Sequence, residues 1–359
     1  MDFITLLLVP IFLYLAWFHF LRSKSNSSNW KTAKLAPGPY PFPIIGNILQ
    51  LGQSPHRSLT KLSKTYGPLM SLQLGSIYTV VLSSPEMAKE ILKKHDQVFS
   101  SRTIASAAEA HDHDKMSLGY LPVGAQWKKF RKICREQMFS TLRLEESHGL
   151  RQDKLNELRE YLHKCSVDGR AVNIGEAAFI TTLNLMSATL FSATFAEFDS
   201  DAVEELKESI EGVARIVALP NFGDYFPVLK PFDLQGIKRK AEVYFGKLLV
   251  LIEDMINQRL EKRTSVGYQK KKDLLEALLD LSEGSEYELS CYEIKHLLLV
   301  RIFFHYLIDA IYIGHLATLI RNFDWKFEFG IKSKEVDMKE KFGLSLRKEI
   351  PLKAIPLEL

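Results

Sequence analysis

The chain begins with a long apolar segment, and this segment constrains the fold more than any other feature. Residues 3–21 read FITLLLVPIFLYLAWFHFL, and only Thr5, Pro10 and His19 interrupt the apolar run. A helix needs about 20 such residues to cross the hydrocarbon core of a bilayer. We therefore predict a transmembrane anchor over residues 1–22, with the rest of the chain folded beside a membrane.

The charges around this segment predict its orientation. Arg22, Lys24, Lys31 and Lys34 all follow the apolar run, and an excess of basic residues marks the cytoplasmic side of a span. The alternative is a cleaved signal peptide. Against it, Asp2 stands where a basic leader is expected, and no small-residue cleavage site follows. We predict a single-pass anchor with the bulk of the chain in the cytoplasm.

Residues 23–45 connect this anchor to the remainder of the chain. The first part, SKSNSSNWKTAK, is polar and basic, as suits a short tether close to a membrane surface. The second part contains prolines at alternate positions, which stiffen the backbone and exclude a helix. We predict a rigid proline-rich elbow, with an ordinary linker as the alternative.

The composition and periodicity of the remainder predict a globular, mainly α-helical fold with a small β-sheet. Hydrophobic residues make up 46% and charged residues 25% of the chain, which are globular values. The net charge of only +4, without a basic stripe, gives no support to a nucleic-acid partner. An alternating stretch at 69–83 predicts a hairpin. Helical spacing covers 59–66, 126–140, 145–165, 176–193, 201–218, 236–262, 273–281 and 290–300. Pro85 opens a further predicted helix. Ser290 and Glu293 form a predicted capping box at the start of the segment 290–300.

One predicted helix carries a candidate binding motif. Trp127 and Arg131 are four residues apart, so they share a helix face that offers an indole N–H and a guanidinium fork to a carboxylate. The neighbouring basic residues lie mostly on other faces and suit an acidic protein partner; they are Lys128, Lys129, Lys132 and Arg135. Taken alone, the spacing is a weak signal and is better explained by a basic amphipathic helix around a buried tryptophan.

Several segments in a fixed order nevertheless match one family. They are APGPYPFPIIGN at 36–47, FSSR at 99–102, WKKFR at 127–131, KKDLLEALLDL at 271–281, LSCYEIKHLLLV at 289–300, NFDWKFEFG at 322–330 and VDMKEKFGLSLRKEIPLKAIP at 336–356. Together they resemble a microsomal cytochrome P450. The wording around 102–115 and 337–346 is similar to the plant terpenoid-hydroxylase type, such as geraniol 8-hydroxylase.

The resemblance implies a cytochrome P450 fold, a haem cofactor and hydroxylation of a small apolar, terpenoid-like substrate with O2. It implies that Trp127 and Arg131 contact a haem propionate. It also implies a location in the endoplasmic reticulum membrane. Electrons from NADPH would arrive only through a partner reductase of the NADPH–cytochrome P450 reductase kind.

The chain also departs from the family. After Val300 the oxygen-activating (A/G)GxDT segment is replaced by RIFFHYLIDAIY, and neither the E-x-x-R pair nor the F-x-x-G-x-R-x-C-x-G haem-thiolate loop occurs in these 359 residues. None of the three cysteines, Cys134, Cys165 and Cys291, aligns with that loop. We predict an incomplete cytochrome P450 fold with an internal deletion. Its parts are the N-terminal portion of the domain at 46–300, an atypical junction at 301–312 and the C-terminal strands at 313–359.

The remaining motifs add no chemistry. His111, Asp112, His113 and Asp114 contain metal-ligating side chains, but adjacent residues rarely converge on one ion, and we expect a solvated loop. The three cysteines lack the spacing of a disulfide framework or a zinc site. The chain contains no nucleotide-binding or hydrolase motif. We assign no catalytic residue and no metal ligand.

Three hypotheses remain open for the function. In the first, the full-length protein is a haem-thiolate monooxygenase, and the chain as written is inactive because the axial cysteine motif is missing. In the second, the chain is a catalytically dead, membrane-tethered remnant that binds a reductase or intact family members through the basic helix. In the third, it is a generic helical membrane adaptor. Whether this chain is an enzyme is therefore an open question at the level of sequence.

Overall fold

The computed structural model describes most of the chain beyond the N-terminal segment. The described residues are 12, 35–138, 140, 145, 148–195, 202–284, 289–307, 319–328, 333–344 and 346–359. The predicted anchor, apart from Phe12, lies outside them, as do the tether up to residue 34 and residues 308–318 around the predicted junction.

Helices dominate the described residues, as the periodicity predicts. The α-helices, in chain order, are α1 Ile48–Leu51, α2 Pro55–Tyr66, α3 Pro85–Lys89, α4 Asp96–Phe99, α5 His113–Met116, α6 Ala125–Ile133, α7 His148–Val167, α8 Ile174–Phe191, α9 Ala202–Ala218, α10 Phe222–Tyr225, α11 Ile237–Arg263, α12 Leu274–Glu283 and α13 Cys291–Leu307. Two α-helices continue as π-helical turns, at Glu90–Lys94 and Cys134–Met138, and 3-10 turns cover Ser106–Asp112, Pro227–Phe232 and Ser333–Glu335.

The strands form small antiparallel sheets. They are β1 Leu69–Leu74, β2 Ile77–Leu82, β3 Val172–Asn173, β4 Phe323–Phe327, β5 Glu340–Lys341, β6 Arg347–Lys348 and β7 Lys353–Glu358. β1 and β2 are the predicted hairpin, and β5 pairs with β6. β7 lies between β3 and β4 in a three-stranded sheet, so the sequence 322–330 that suggested a C-terminal strand does form one.

The described residues divide into two compact units, of which the first comprises Met1–Ser100 and Asn221–Leu234. Here the proline-rich elbow packs along β1 instead of forming a free linker. Ser71 donates its backbone N–H to the carbonyl of Pro37 at 2.9 Å, and Asn47 accepts from the backbone N–H of Gln73 at 2.7 Å. A Cβ on Gly38 would lie 2.0 Å from the Ser71 carbonyl oxygen, so the close approach requires glycine.

A second segment of the same unit packs on the hairpin turn. The backbone N–H and the hydroxyl of Ser76 both donate to the carbonyl of Tyr225, each at 2.8 Å. Gly75 turns the hairpin with φ of +58°, and a Cβ there would lie 2.7 Å from the same carbonyl oxygen. These contacts fix residues 222–232 against β1 and β2.

The second unit, Ser101–Pro220 with Gln235–Leu359, contains the main hydrophobic core. Its helices α8, α9, α11, α12 and α13 contribute buried aliphatic side chains to one continuous cluster. Among them Leu190, Ile252, Leu275 and Leu297 are fully buried. Each fully buried aliphatic side chain contributes about 1.5–3 kcal/mol to folding, so this cluster is the principal source of stability in the unit.

Helix α8 is the one described helix that is long and apolar enough to cross a membrane. More than half of it is buried by the surrounding protein, and Leu183, Met186 and Leu190 belong to the core cluster. Its apolar sequence is therefore explained by its position inside the unit. A smaller cluster joins α7 to the three-stranded sheet through Leu158, Leu162, Val172 and Phe323.

A buried group of charged residues fastens the end of α11 to the start of α12. The Arg259 guanidinium donates to both carboxylate oxygens of Asp273 at 2.9 and 2.8 Å and to Glu276 at 2.9 Å. Arg263 donates to the other Glu276 oxygen at 3.0 Å, and the Tyr268 hydroxyl adds a bond of 2.6 Å. Burial raises the pKa of Glu276, but these hydrogen bonds outweigh it and hold the pKa below its ordinary value.

His113 is buried, so the prediction of a solvated loop is wrong for this residue. His113 is only 2% exposed, and its ring centroid lies 4.0 Å from that of Phe245 and 4.8 Å from that of His296. His111 and Asp112 both adopt left-handed conformations, with φ of 50° and 55°. This uncommon turn directs the next side chain under α11 and α13.

Burial has an electrostatic consequence for His113. It lowers the pKa of the imidazole from 6.5 to about 3, and the neighbouring His296 and His111 act in the same direction against Asp112. Its Nε2 atom has no hydrogen-bond partner among the described atoms. The ring is therefore neutral in the folded protein at physiological pH.

Substitution of Arg259 by methionine tests the buried charge cluster. Arg259→Met leaves Asp273 and Glu276 buried without their main cation, and we expect the free energy of unfolding to fall by about 3–5 kcal/mol. Urea unfolding followed by circular dichroism measures the change. The matched control, Lys262→Met, alters an exposed residue of the same helix end and should change stability by less than about 0.5 kcal/mol. A loss below about 1 kcal/mol for Arg259→Met would contradict the role assigned to the cluster.

The pKa of His113 predicts acid sensitivity. Below pH 6.5 the unfolded chain binds a proton at this residue that the folded chain does not bind until about pH 3. The free energy of unfolding therefore decreases as the pH falls, by about 2 kcal/mol between pH 7.5 and pH 5 from this residue. His113→Phe removes that contribution, whereas the half-exposed His163→Phe retains it. Equal pH dependence for His113→Phe and the unmodified chain, measured by urea unfolding, would disprove the assignment.

Candidate functional site

Helix α6 and its π-helical continuation form the framework of the candidate site. Gly124 precedes the helix in an extended conformation, and Phe130 and Ile133 bury one face in the core. The basic residues Lys128, Arg131 and Lys132 lie on the opposite side of the helix and are exposed. This separation of apolar and basic residues is what the amphipathic sequence predicts.

Trp127 and Arg131 share a face of α6, as their spacing predicts. The guanidinium carbon of Arg131 lies 5.0 Å from the centroid of the Trp127 ring, which is within the range of a cation–π contact. Trp127 also packs against the core. The contact holds the exposed guanidinium of Arg131 beside the indole ring.

These two residues line a cavity of about 530 Å³ in the second unit, a volume within the range of small-molecule sites. The cavity combines basic side chains with apolar ones and includes no acidic residue among its described lining residues. Its lining consists of Leu118, Trp127, Lys128, Arg131, Lys132, Cys134, Arg135, Met138, Val300 and Arg301. The site therefore presents a concentrated positive charge beside apolar surface.

The cavity also includes three of the other basic residues of this segment. Lys128, Lys132 and Arg135 were expected mainly on other faces of the helix, and they line the same cavity as Trp127 and Arg131. The cavity extends over more than one face of the helix, and α13 closes it with Val300 and Arg301. Lys129 alone among the four points elsewhere and forms an ion pair of 3.1 Å with Glu293 of α13.

Arg301 is a site residue that the sequence reasoning missed. It lies in the apolar run HLLLVRIFF and is only 7% exposed. Burial lowers the pKa of its guanidinium to about 10, partly offset by the nearby Cys134 thiol, so it remains a cation at neutral pH. A lone arginine inside an otherwise apolar helical run is the sequence signal that would have indicated it.

Cys134 lines the cavity as a thiol and not as a thiolate. It is 4% exposed, and burial raises the pKa of the thiol to about 11 in spite of Arg301 and Arg131. Cys165 lies in the smaller hydrophobic cluster and accepts a hydrogen bond of 3.1 Å from Arg170. Cys291 is exposed at the start of α13.

The haem that the resemblance implies can be compared with this set of donors. Guanidinium, ammonium and indole N–H groups fit the carboxylates of a haem, and Leu118, Met138 and Val300 offer apolar contact. The described residues supply no thiolate there, since the one thiol in the lining is protonated at neutral pH. The donor set thus fits the carboxylate edge of a haem.

The histidine–aspartate segment does not form a metal site within the described residues. His111 Nε2 lies 2.8 Å from the carbonyl oxygen of Glu242, and Asp112 pairs with Lys115 at 2.7 Å. No group of three or more histidine, cysteine, aspartate or glutamate side chains is arranged to hold a metal ion in the part of the chain that the structure describes.

Comparison with known proteins gives a consistent set of relatives. Ferruginol synthase of Salvia fruticosa is 55% identical over 300 residues, which cover 83% of this chain and 59% of the relative. Ferruginol synthase of Salvia miltiorrhiza is 60% identical over 266 residues, or 74% of this chain and 54% of the relative. Sugiol synthase of Salvia miltiorrhiza is 51% identical over 330 residues, or 91% of this chain and 63% of the relative.

The chain therefore spans little more than half the length of the curated relatives that it matches. A family model described as Cytochrome P450 matches residues 36–303, a range that ends inside the predicted junction and includes every residue that lines the cavity. This match agrees with the helical fold, the small sheets and the cavity on α6 and α13. The chain belongs to the cytochrome P450 family.

Proposed function

We propose that the full-length protein is a haem-dependent monooxygenase that hydroxylates a small apolar, terpenoid-like molecule with O2. The relatives are named as synthases of ferruginol and sugiol, which are terpenoids, and their identity to this chain reaches 60%. The electrons would come from NADPH through a separate reductase, as the family generally uses such a redox partner.

The single observation that carries this proposal is the cationic cavity on α6. Trp127 and Arg131 would hold a haem propionate there, with the remaining basic residues of the lining contributing further positive charge. The haem, when bound, would supply the activation of dioxygen. The residues of this chain would bind and orient it.

We further propose that the chain as written does not catalyse this reaction. An axial thiolate directs electron density toward cleavage of the O–O bond, and neither the thiolate loop nor the oxygen-activating segment occurs in the 359 residues. The family match ends at residue 303. This position supports an interruption at 301–312, between the N-terminal part of the domain at 46–300 and the C-terminal strands at 313–359.

An absorption spectrum tests the catalytic part of the proposal. We expect the chain as written, produced in microsomes with a reductase, to give no thiolate-type band with carbon monoxide after reduction and no oxidised product from a terpenoid panel. The control is a version in which the genomic sequence between the codons for Val300 and Ile313 is restored, and it should give both signals. A thiolate-type band from the chain as written would contradict its inactivity, and a restored version without products would contradict the monooxygenase assignment.

The second candidate function is a membrane-tethered remnant that binds a reductase. The exposed Lys128, Lys132 and Arg135 favour it, since such a surface suits an acidic partner. In the same microsomes a complex with the reductase that weakens as salt rises would support this function. Equal capture of the reductase by the Lys128→Gln/Lys132→Gln variant would argue against it.

For the location we propose the endoplasmic reticulum membrane, with residues 1–22 as a single anchor and residues 23–45 as tether and elbow. Large apolar side chains exposed on the first unit support a position close to lipid. They are Tyr40, Phe42, Leu49, Phe222, Val228, Phe232 and Leu234. An anchored unit with such a surface would rest on the bilayer.

Fractionation of microsomes tests this topology. We expect the full chain to stay with the membrane in alkaline carbonate, because a span is not extracted, and a version lacking residues 2–22 to be released. At neutral pH the shortened version should keep partial membrane binding, which Phe232→Ser/Leu234→Ser reduces. The matched control, Val243→Ser/Val250→Ser, changes exposed valines of α11 and should have no effect. Retention of the shortened version in carbonate would contradict the single anchor.

A further inference from the structure

The basic residues of the cavity lie at two depths. Lys128, Arg131, Lys132 and Arg135 are exposed, whereas Arg301 is 7% exposed and lies on another helix. An anion at the exposed residues is screened by water and salt, but one that reaches Arg301 interacts with a cation in a lower dielectric. The interior arginine is therefore the stronger determinant of which anions the cavity holds.

Apolar side chains line the cavity beside the basic residues. Leu118, Met138 and Val300 line the cavity, and Met138 and Val300 are buried. A small inorganic anion would leave this apolar surface exposed to water. The lining instead fits a molecule that joins carboxylates to a broad apolar body, as a tetrapyrrole does.

The sulfur in the lining contributes little to this recognition. Cys134 is buried beside Arg301, and its raised pKa keeps it protonated at neutral pH. A protonated thiol is a weak metal ligand, because the thiolate is the binding form. The affinity of the cavity for a haem must then come from the carboxylates and the apolar body.

We infer that this cavity binds the tetrapyrrole through its carboxylates, with Arg301 as the interior counter-charge, and that the binding does not depend on iron. The inference rests on the proposed function, because it concerns the cofactor of the same site. It assigns a role to Arg301, a residue outside the predicted Trp127 and Arg131 pair. It also separates the retention of the cofactor from the chemistry of its metal.

Competition between porphyrins tests the inference on the purified full chain in detergent. The fluorescence of metal-free protoporphyrin IX reports its binding directly, and ferric protoporphyrin IX and the dimethyl ester of protoporphyrin IX serve as competitors. We expect the iron and metal-free forms to bind with Kd values within about threefold of each other. The dimethyl ester, which lacks the negative charges, should bind at least about tenfold more weakly.

Variants identify the residues responsible. Arg301→Gln should weaken the binding of both porphyrins by about tenfold or more, and Arg301→Lys, which keeps the charge, should recover most of that loss. Cys134→Ser should leave both affinities unchanged. The matched control, Arg215→Gln, alters an exposed arginine of α9 outside the cavity lining and should also have no effect. Thermal unfolding of each variant shows whether it remains folded.

The outcomes separate this inference from the proposed function. Binding of ferric protoporphyrin IX more than about a hundredfold tighter than the metal-free form, or its loss in Cys134→Ser, would overturn the inference and leave the haem assignment intact. Undiminished binding of the dimethyl ester would overturn it as well, since apolar partition alone would then hold the porphyrin. Failure of both porphyrins to bind would contradict the haem assignment itself.

Discussion

Leu297 and Leu298 of α13 are fully buried in the main core, and the packing of this helix against α8, α11 and α12 holds the cavity side of the second unit together. Ser290 and Glu293 form reciprocal capping bonds that fix where α13 begins. Glu293 also pairs with Lys129, which ties α6 to the same helix. One turn beyond Leu297 the same face carries Arg301, so the contact that closes the core also delivers a cation into the cavity.

The second unit contains two contrasting groups of charged residues. Between α11 and α12, two arginines meet two buried carboxylates, and the hydrogen bonds among Arg259, Arg263, Asp273 and Glu276 satisfy both signs. The described lining of the cavity instead contains several basic residues and no acidic residue. A balanced cluster stabilises the fold, because neither charge is left isolated. An unbalanced one creates a positive potential that attracts an anion from outside the protein.

The parts of the structure that follow from local rules could be predicted from the sequence. Pro85, the Gly75–Ser76 turn and the Ser290–Glu293 capping box mark their elements through backbone chemistry that needs no distant contact. The shared face of Trp127 and Arg131 follows in the same way from helical spacing. The burial of His113 could not be predicted, because it depends on contacts with α11 and α13, which lie far away in sequence. Periodicity locates helices, but it does not show which polar residue another helix will cover.

Anchoring a haem and activating dioxygen draw on different parts of a cytochrome P450 chain. The residues proposed to contact the carboxylates belong to α6 and α13, and every lining residue falls within the matched range 36–303. The thiolate loop would belong to the segment that the proposed deletion removes at the junction 301–312. Charge-assisted contacts of this kind do not need the metal in order to act. The proposed interruption at 301–312 would therefore remove the electronic control of the iron, and it would leave the basic residues of the cavity as an electrostatic basis for holding the porphyrin.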